Sequence, residues 1–141
     1  MDAIECRLGY RRSIFHRHRD WIILGAYFFL KKGEQSDIKK AEEELFQKRC
    51  ESQPTGPHAG SVFLRPLCKD KETLSVGVMV EKLGLKGTII GGAQISTKHG
   101  GFIINTGGAS CKDVLGLIRL IKKEVYAGYG IRLKTEIELF P

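Results

Sequence analysis

Ser61 is the residue whose surroundings best suit chemistry. It follows Ala59 and Gly60, which have almost no side chain, and precedes the apolar pair Val62-Phe63. Small neighbours let another molecule approach the hydroxyl, and Val-Phe suits a strand that anchors it. Pro54, Pro57 and Pro66 stiffen both approaches. Two readings follow: a hydroxyl held rigidly at the rim of a pocket, or a serine capping a turn before a strand. Tyr10-Arg11-Arg12-Ser13 reads as an anion clamp, since guanidinium grips carboxylate or phosphate in two-pronged fashion, or as a solvated basic face. Glu136 and Glu138 alternate with Ile137 and Leu139, so both point the same way, to solvent or into a pocket.

The run Gly91-Gly92-Ala93-Gln94-Ile95-Ser96-Thr97-Lys98-His99-Gly100-Gly101 is glycine-rich, but it is no phosphate loop. It lacks the Gly-Lys-Ser/Thr ending and does not pass straight into a helix. It reads as a hairpin or bulged pair presenting Gln94, Ser96, Lys98 and His99. A histidine so placed is either structural or a contact residue.

These residues need positioning elements, and the chain has room for one real core. It has 141 residues, 42% hydrophobic, with 23 basic against 16 acidic side chains and a net charge of +7. That balance favours anionic partners without choosing among them. The basic residues are not interleaved with aromatics on any one strand, which sets nucleic acid aside. No run is long enough to cross a bilayer, and Met1-Asp2-Ala3-Ile4-Glu5 does not open a signal peptide. A cytoplasmic location is expected. Cys6, Cys50, Cys68 and Cys111 form no CxxC pair, so the expectation is reduced, partly buried thiols and no metal.

Residues 1–20 are crowded with charge. Trp21 to Leu30 then reads as a buried strand, ended by Lys31-Lys32-Gly33. A helix is expected from about Asp37 to Cys50, capped by Ser36 or Asp37, with Ile38, Ala41, Leu45 and Phe46 as its apolar stripe. It is a candidate hinge. Beyond it come the Ser61 strand, a loop over Leu67 to Thr73, and a helix over Leu74 to Leu83 closed by Gly84. Short strands near Thr88–Ile90 and Ala93–Ile95 flank Gly91-Gly92, and Phe102 to Asn105 makes another. Ser110, with Asp113 as capping-box partner, opens a helix to about Tyr126 whose buried face is Val114, Leu117, Ile118, Ile121 and Val125. Gly128 and Gly130 stop it, and Ile131 to Phe140 forms a last strand. The expected fold is α+β, a small mixed sheet with packed helices.

Several of these motifs, in order, carry a resemblance. Gly9-Tyr10-Arg11-Arg12-Ser13-Ile14-Phe15, Gln53-Pro54, Pro57 to Pro66, Gly84-Leu85-Lys86-Gly87, Ile90 to His99, Gly101 to Asn105 and Lys134-Thr135-Glu136-Ile137 resemble the C-terminal part of the UDP-N-acetylenolpyruvoylglucosamine reductase family. That resemblance implies FAD and NADPH as cofactors and UDP-N-acetylglucosamine enolpyruvate as substrate, reduced to UDP-N-acetylmuramate for peptidoglycan. It implies Ser61 as proton donor, with Arg11 and Glu136 holding and polarising the substrate carboxylate. Tyr10, Gln53, Arg65 and His99 would contact the nucleotide sugar. It further implies that residues 1–33 are the terminal strand region of a truncated FAD-binding domain and that 34–141 are the substrate-binding domain. The missing N-terminal flavin domain would be a partner. The chain departs from the family's usual pattern at Arg12, at Leu64-Arg65 and at Val78. Two functions of different class follow: a fragment of a reductase, inactive by itself, or a non-catalytic nucleotide-sugar-binding module.

Overall fold

The computed structural model describes residues 1–18, 20–66 and 75–139. The chain divides into two units, Met1–Gln35 and Ser36–Pro141. The expected loop 67–73, Cys68, the first residue of the expected second helix (Leu74) and the end of the expected last strand (Phe140) lie outside the described residues.

The second unit holds helix α1 (Gln35–Ser52, whose first residue falls at the boundary), strand β1 (His58–Ser61), helix α2 (Val76–Lys82), strands β2 (Ile89–Ile90), β3 (Ala93–Ile95) and β4 (Phe102–Asn105), and helix α3 (Cys111–Tyr129). The strands form one sheet in the order β1-β4-β3-β2, and every pairing is antiparallel. That corrects the expected mixed sheet. β2 and β3 are joined by a two-residue turn and β3 and β4 by a short loop, and connections that short force antiparallel neighbours. β1 then joins the exposed side of β4.

The core forms where one sheet face meets α3. Ala93 and Ile95 of β3 and Leu117, Ile121 and Val125 of α3 are almost wholly buried, with Met79 and Val80 of α2 filling the flank. The spacing 117, 118, 121, 125 is the one-sided stripe a core-facing helix needs. Ser110 caps α3 by accepting the Asp113 N–H, while the Asp113 carboxylate accepts the Ser110 N–H in return. The same carboxylate is bonded by the Gly92 backbone, and these bonds, led by those to Ser110, hold its pKa below the ordinary 3.8. One side chain thus ties the β2–β3 turn to the start of α3. The helix runs past Gly128 to Tyr129, and only Gly130 ends it.

Four other expectations need correcting. Trp21 to Leu30 is not a buried strand: it has no regular structure, and Leu24, Tyr27 and Phe29 are almost fully exposed. An apolar run becomes a strand only beside another strand, and none of the described strands pairs with it. Helix α1 forms, but it begins before Ser36 and Asp37, and its stripe of Ile38, Leu45 and Phe46 is exposed. The last strand is reduced to a single bridge between Thr135 and Phe63. Cys6, Cys50 and Cys111 are free thiols, of which Cys111 is exposed rather than partly buried.

The first unit carries a tight turn. Gly9 and Arg12 exchange both backbone hydrogen bonds, at 2.9 and 3.2 Å, leaving Tyr10 and Arg11 at the tip. A short 3-10 turn, Ile14–His16, follows, and Trp21 stacks on His18 with centroids 4.1 Å apart.

Candidate functional site

The expected Ser61 strand is present, but Ser61 ends it rather than opens it. Pairing runs His58 to Ile104 and then Ser61 to Phe102, so three steps on β1 match two on β4. The extra residue is a β-bulge. Because side chains alternate, it re-aims everything after it to the other face. Gly60 absorbs the distortion at φ 82°, in the left-handed region where a Cβ is costly. Val62 and Phe63 then plunge into the core at 2% and 3% exposure, anchoring the half-buried Ser61 from its C-terminal side. The Ser61 hydroxyl donates to the Phe63 carbonyl at 3.3 Å, a long bond that rotation of the hydroxyl can release.

Glu136 reaches this strand through the backbone. Its N–H donates to the Val62 carbonyl at 2.8 Å, and Leu64 N–H donates to Lys134 at 2.9 Å, on either side of the Phe63–Thr135 bridge. These bonds set Glu136 opposite Val62, the residue after Ser61, although 75 positions separate Ser61 and Glu136 in the chain. Glu136 is half-buried and Glu138 exposed, so the two carboxylates do not share an environment. Arg65 is exposed, just beyond the bridge.

The 96–101 loop forms a second cluster. Ser96, 1% exposed, accepts the N–H groups of Lys98 and His99, so it shapes the loop from within instead of being presented by it. Gln94 likewise turns inward, donating to the Gly87 carbonyl. His99 is half-buried, its Nδ1 accepting the Gly101 N–H at 3.0 Å and its ring edge-on to Phe102 at 4.9 Å. Lys98 Nζ donates to the Cys50 carbonyl, which holds the end of α1 against this loop. Gln53 follows directly, half-buried, its N–H bonded to Arg49.

Tyr10 and Arg11 belong to the first unit. Arg11 has φ 52°, an uncommon conformation for a residue with a Cβ, and its guanidinium lies 5.9 Å from the Tyr10 ring centre. Within the second unit the structure sets Glu136 beside Val62, the residue after Ser61, and the loop of His99 beside the segment before Gln53. Sequence reasoning gave no role to His58. Its Nδ1 accepts the Gly60 N–H at 2.9 Å, and its ring meets Phe102 edge-on at 5.1 Å. The His-Ala-Gly spacing was the available signal, since a side-chain acceptor two residues before a free N–H closes a turn.

The glycine-rich turn does not fit a dinucleotide's phosphates. A Cβ on Gly91 would fall 2.4 Å from the Asp113 carboxyl carbon, and one on Gly92 would fall 2.3 Å from the Gly107 carbonyl oxygen. The space is already filled, and by an acid. Among the described residues no cluster of His, Cys, Asp or Glu is arranged to hold a metal ion. No described helix is long and apolar enough to cross a membrane.

Residues 52–140 match the family described as UDP-N-acetylenolpyruvoylglucosamine reductase, C-terminal domain. A UDP-N-acetylenolpyruvoylglucosamine reductase of Fervidobacterium nodosum is 50% identical over 137 residues, covering 96% of this chain and 43% of the relative. One of Francisella tularensis is 44% identical over 132 residues, covering 94% and 45%. The crystal structure of the reductase from Thermus caldophilus superposes with a TM-score of 0.66 at 34% identity, over 79% of this chain and 37% of that one. The chain thus spans about half the length of the curated relatives it matches.

Proposed function

The chain belongs to the UDP-N-acetylenolpyruvoylglucosamine reductase family, and on that premise we propose that it is the substrate-handling part of such a reductase. Its substrate on this reading is UDP-N-acetylglucosamine enolpyruvate, its product UDP-N-acetylmuramate, a precursor of peptidoglycan. The observation that carries the reading is the bulge at Gly60. It re-aims Ser61 directly before Val62, whose carbonyl accepts the Glu136 N–H.

Reduction of the enol ether adds hydride at its terminal carbon, leaving an enolate whose charge spreads into the neighbouring carboxylate. Ser61 supplies the proton to the adjacent carbon, breaking its O–H bond as the new C–H bond forms. A hydroxyl is a weak acid, but this carbanion is a strong base. Water then restores the serine proton. Arg11 and Glu136 hold and polarise the carboxylate as charge develops. Tyr10, Gln53, Arg65 and His99 contact the nucleotide sugar, with His99 offering its Nε2–H because Nδ1 is taken by Gly101.

FAD and NADPH are the cofactors the resemblance implies. The glycine-rich turn does not fit the dinucleotide's phosphates, since it is closed by Asp113 and Gly107. On this reading flavin binding belongs to the further length that the relatives possess. By itself the chain would bind without turning over. That same misfit favours a second reading, a nucleotide-sugar-binding module without redox activity.

Titrating the isotope-labelled chain with UDP-N-acetylglucosamine enolpyruvate tests the proposal. Amide shifts at 60–64, 96–101 and 134–137 are expected, and shifts confined elsewhere would defeat it. Turnover after addition of a relative's N-terminal portion separates the two readings. Substrate reduction supports the reductase, and binding without reduction supports the module.

A further inference from the structure

The geometry points to His58 as the positioning residue for Ser61, an assignment that rests on Ser61 being the proton donor. The bulge between His58 and Ser61 takes the Gly60 N–H out of the ladder with β4, whose bonds here run from Asn105 N–H to Pro57 and from Val62 N–H to Gly101. An N–H removed from its ladder must find another acceptor or stay with water. His58 Nδ1 takes it at 2.9 Å, closing a two-residue loop over Ala59. That bond holds Gly60 at φ 82° and so determines the face on which the next residue, Ser61, emerges.

The ring itself is fixed by its second contact. Phe102, the residue paired with Ser61, meets the His58 ring edge-on at 5.1 Å and 88°. It also meets the ring of His99, at 4.9 Å and 75°. His99 repeats the same device, with Nδ1 accepting the N–H of the glycine two residues on. One phenylalanine opposite Ser61 therefore braces two histidines, and each bonds a glycine N–H through the same nitrogen. Accepting through Nδ1 requires the neutral ring with its proton on Nε2. His58 does not touch substrate in this scheme. It acts on the reaction only through the orientation of Ser61.

The acceptor and the ring can be separated by substitution. Asn keeps an acceptor able to close the same turn, as in an Asx-turn, while Phe keeps the ring and removes the acceptor. In the chain as it stands, H58F should raise Gly60 amide exchange roughly fivefold, the loss of one ordinary hydrogen bond. H58N should leave that exchange near wild type. With a relative's N-terminal portion supplied, H58F should lower kcat with little change in KM, and H58N should restore it. Equal Gly60 exchange in wild type and H58F, or H58N behaving as H58F, overturns the assignment. A long-range nitrogen spectrum of the unsubstituted chain at alkaline pH needs no variant: the Nε2–H form of His58 supports the assignment, and the Nδ1–H form overturns it. Wild-type turnover by S61A would instead refute the proton-donor reading, while the exchange and tautomer results would still judge the hydrogen bond.

Discussion

Gly92→Ala should unfold the second unit far more easily, although it adds a single methyl group. That carbon would sit 2.3 Å from the Gly107 carbonyl oxygen, 2.5 Å from the Ala109 nitrogen and 2.7 Å from the Gly108 carbonyl carbon. All three are backbone atoms, so no side-chain rotation relieves the clash, and the 107–109 turn must move by about 1 Å to reach van der Waals distance. Movement there breaks the Thr106 N–H and hydroxyl bonds to the Gly92 carbonyl, both 2.9 Å, and the bond from Gly92 to Asp113. The two Thr106 bonds at about 1 kcal/mol each, with overpacking of about 1–3 kcal/mol, give a loss of roughly 3–5 kcal/mol. A domain of this size loses about 4–8 °C of Tm per kcal/mol, so the far-ultraviolet melting transition should fall by roughly 12 °C or more. Gly25→Ala, with no neighbouring atom within 4 Å, is the control and should melt as wild type. If Gly92→Ala melted within about 2 °C of wild type, the packing of this turn against the start of α3 would be wrong.

Leu117, fully buried between α3 and the sheet, should cost about 2–5 kcal/mol on replacement by Ala, read by urea denaturation. Asp113→Asn should destabilise the chain at neutral pH. The wild-type carboxyl titrates below 3.8 when folded, so its stabilisation is present above that value and fades as pH falls through the folded one. The melting difference between Asp113→Asn and wild type should therefore shrink in strongly acidic solution, and a difference constant with pH would contradict the assignment. Phe29→Ser and Leu24→Ser should shift unfolding by less than about 0.5 kcal/mol, because both side chains are already in solvent.

What was legible in the sequence was local. The extent of β4 and the capping of α3 agree with expectation because β-branched residues, turn glycines and the Ser110–Asp113 spacing act over a few positions. Trp21 to Leu30 misled because burial belongs to a strand's partners rather than to its composition. The stripe on α1 misled for the same reason: periodicity shows that a face is apolar, and not that anything covers it. At the site, Ser61 stood out through its small neighbours, but the bulge that turns it depends on register against Phe102 and Ile104, more than 40 positions onward. His58 was missed for that reason: the His-Ala-Gly spacing closes a turn only where the Gly60 N–H is free, and it is free only once the bulge forms. Glu136 came to lie opposite Val62, next after Ser61, through a single bridge, which no local pattern signals.

On the proposed function, Ser61 delivers the proton to the reduced enol ether. The most direct test of that claim is the rate of UDP-N-acetylmuramate formation by Ser61→Ala, with the N-terminal portion of the Fervidobacterium nodosum relative supplied. Loss of a positioned proton donor should slow product formation by about 10²–10⁴-fold while substrate affinity stays near wild type. Product formation by Ser61→Ala at the wild-type rate would contradict the claim.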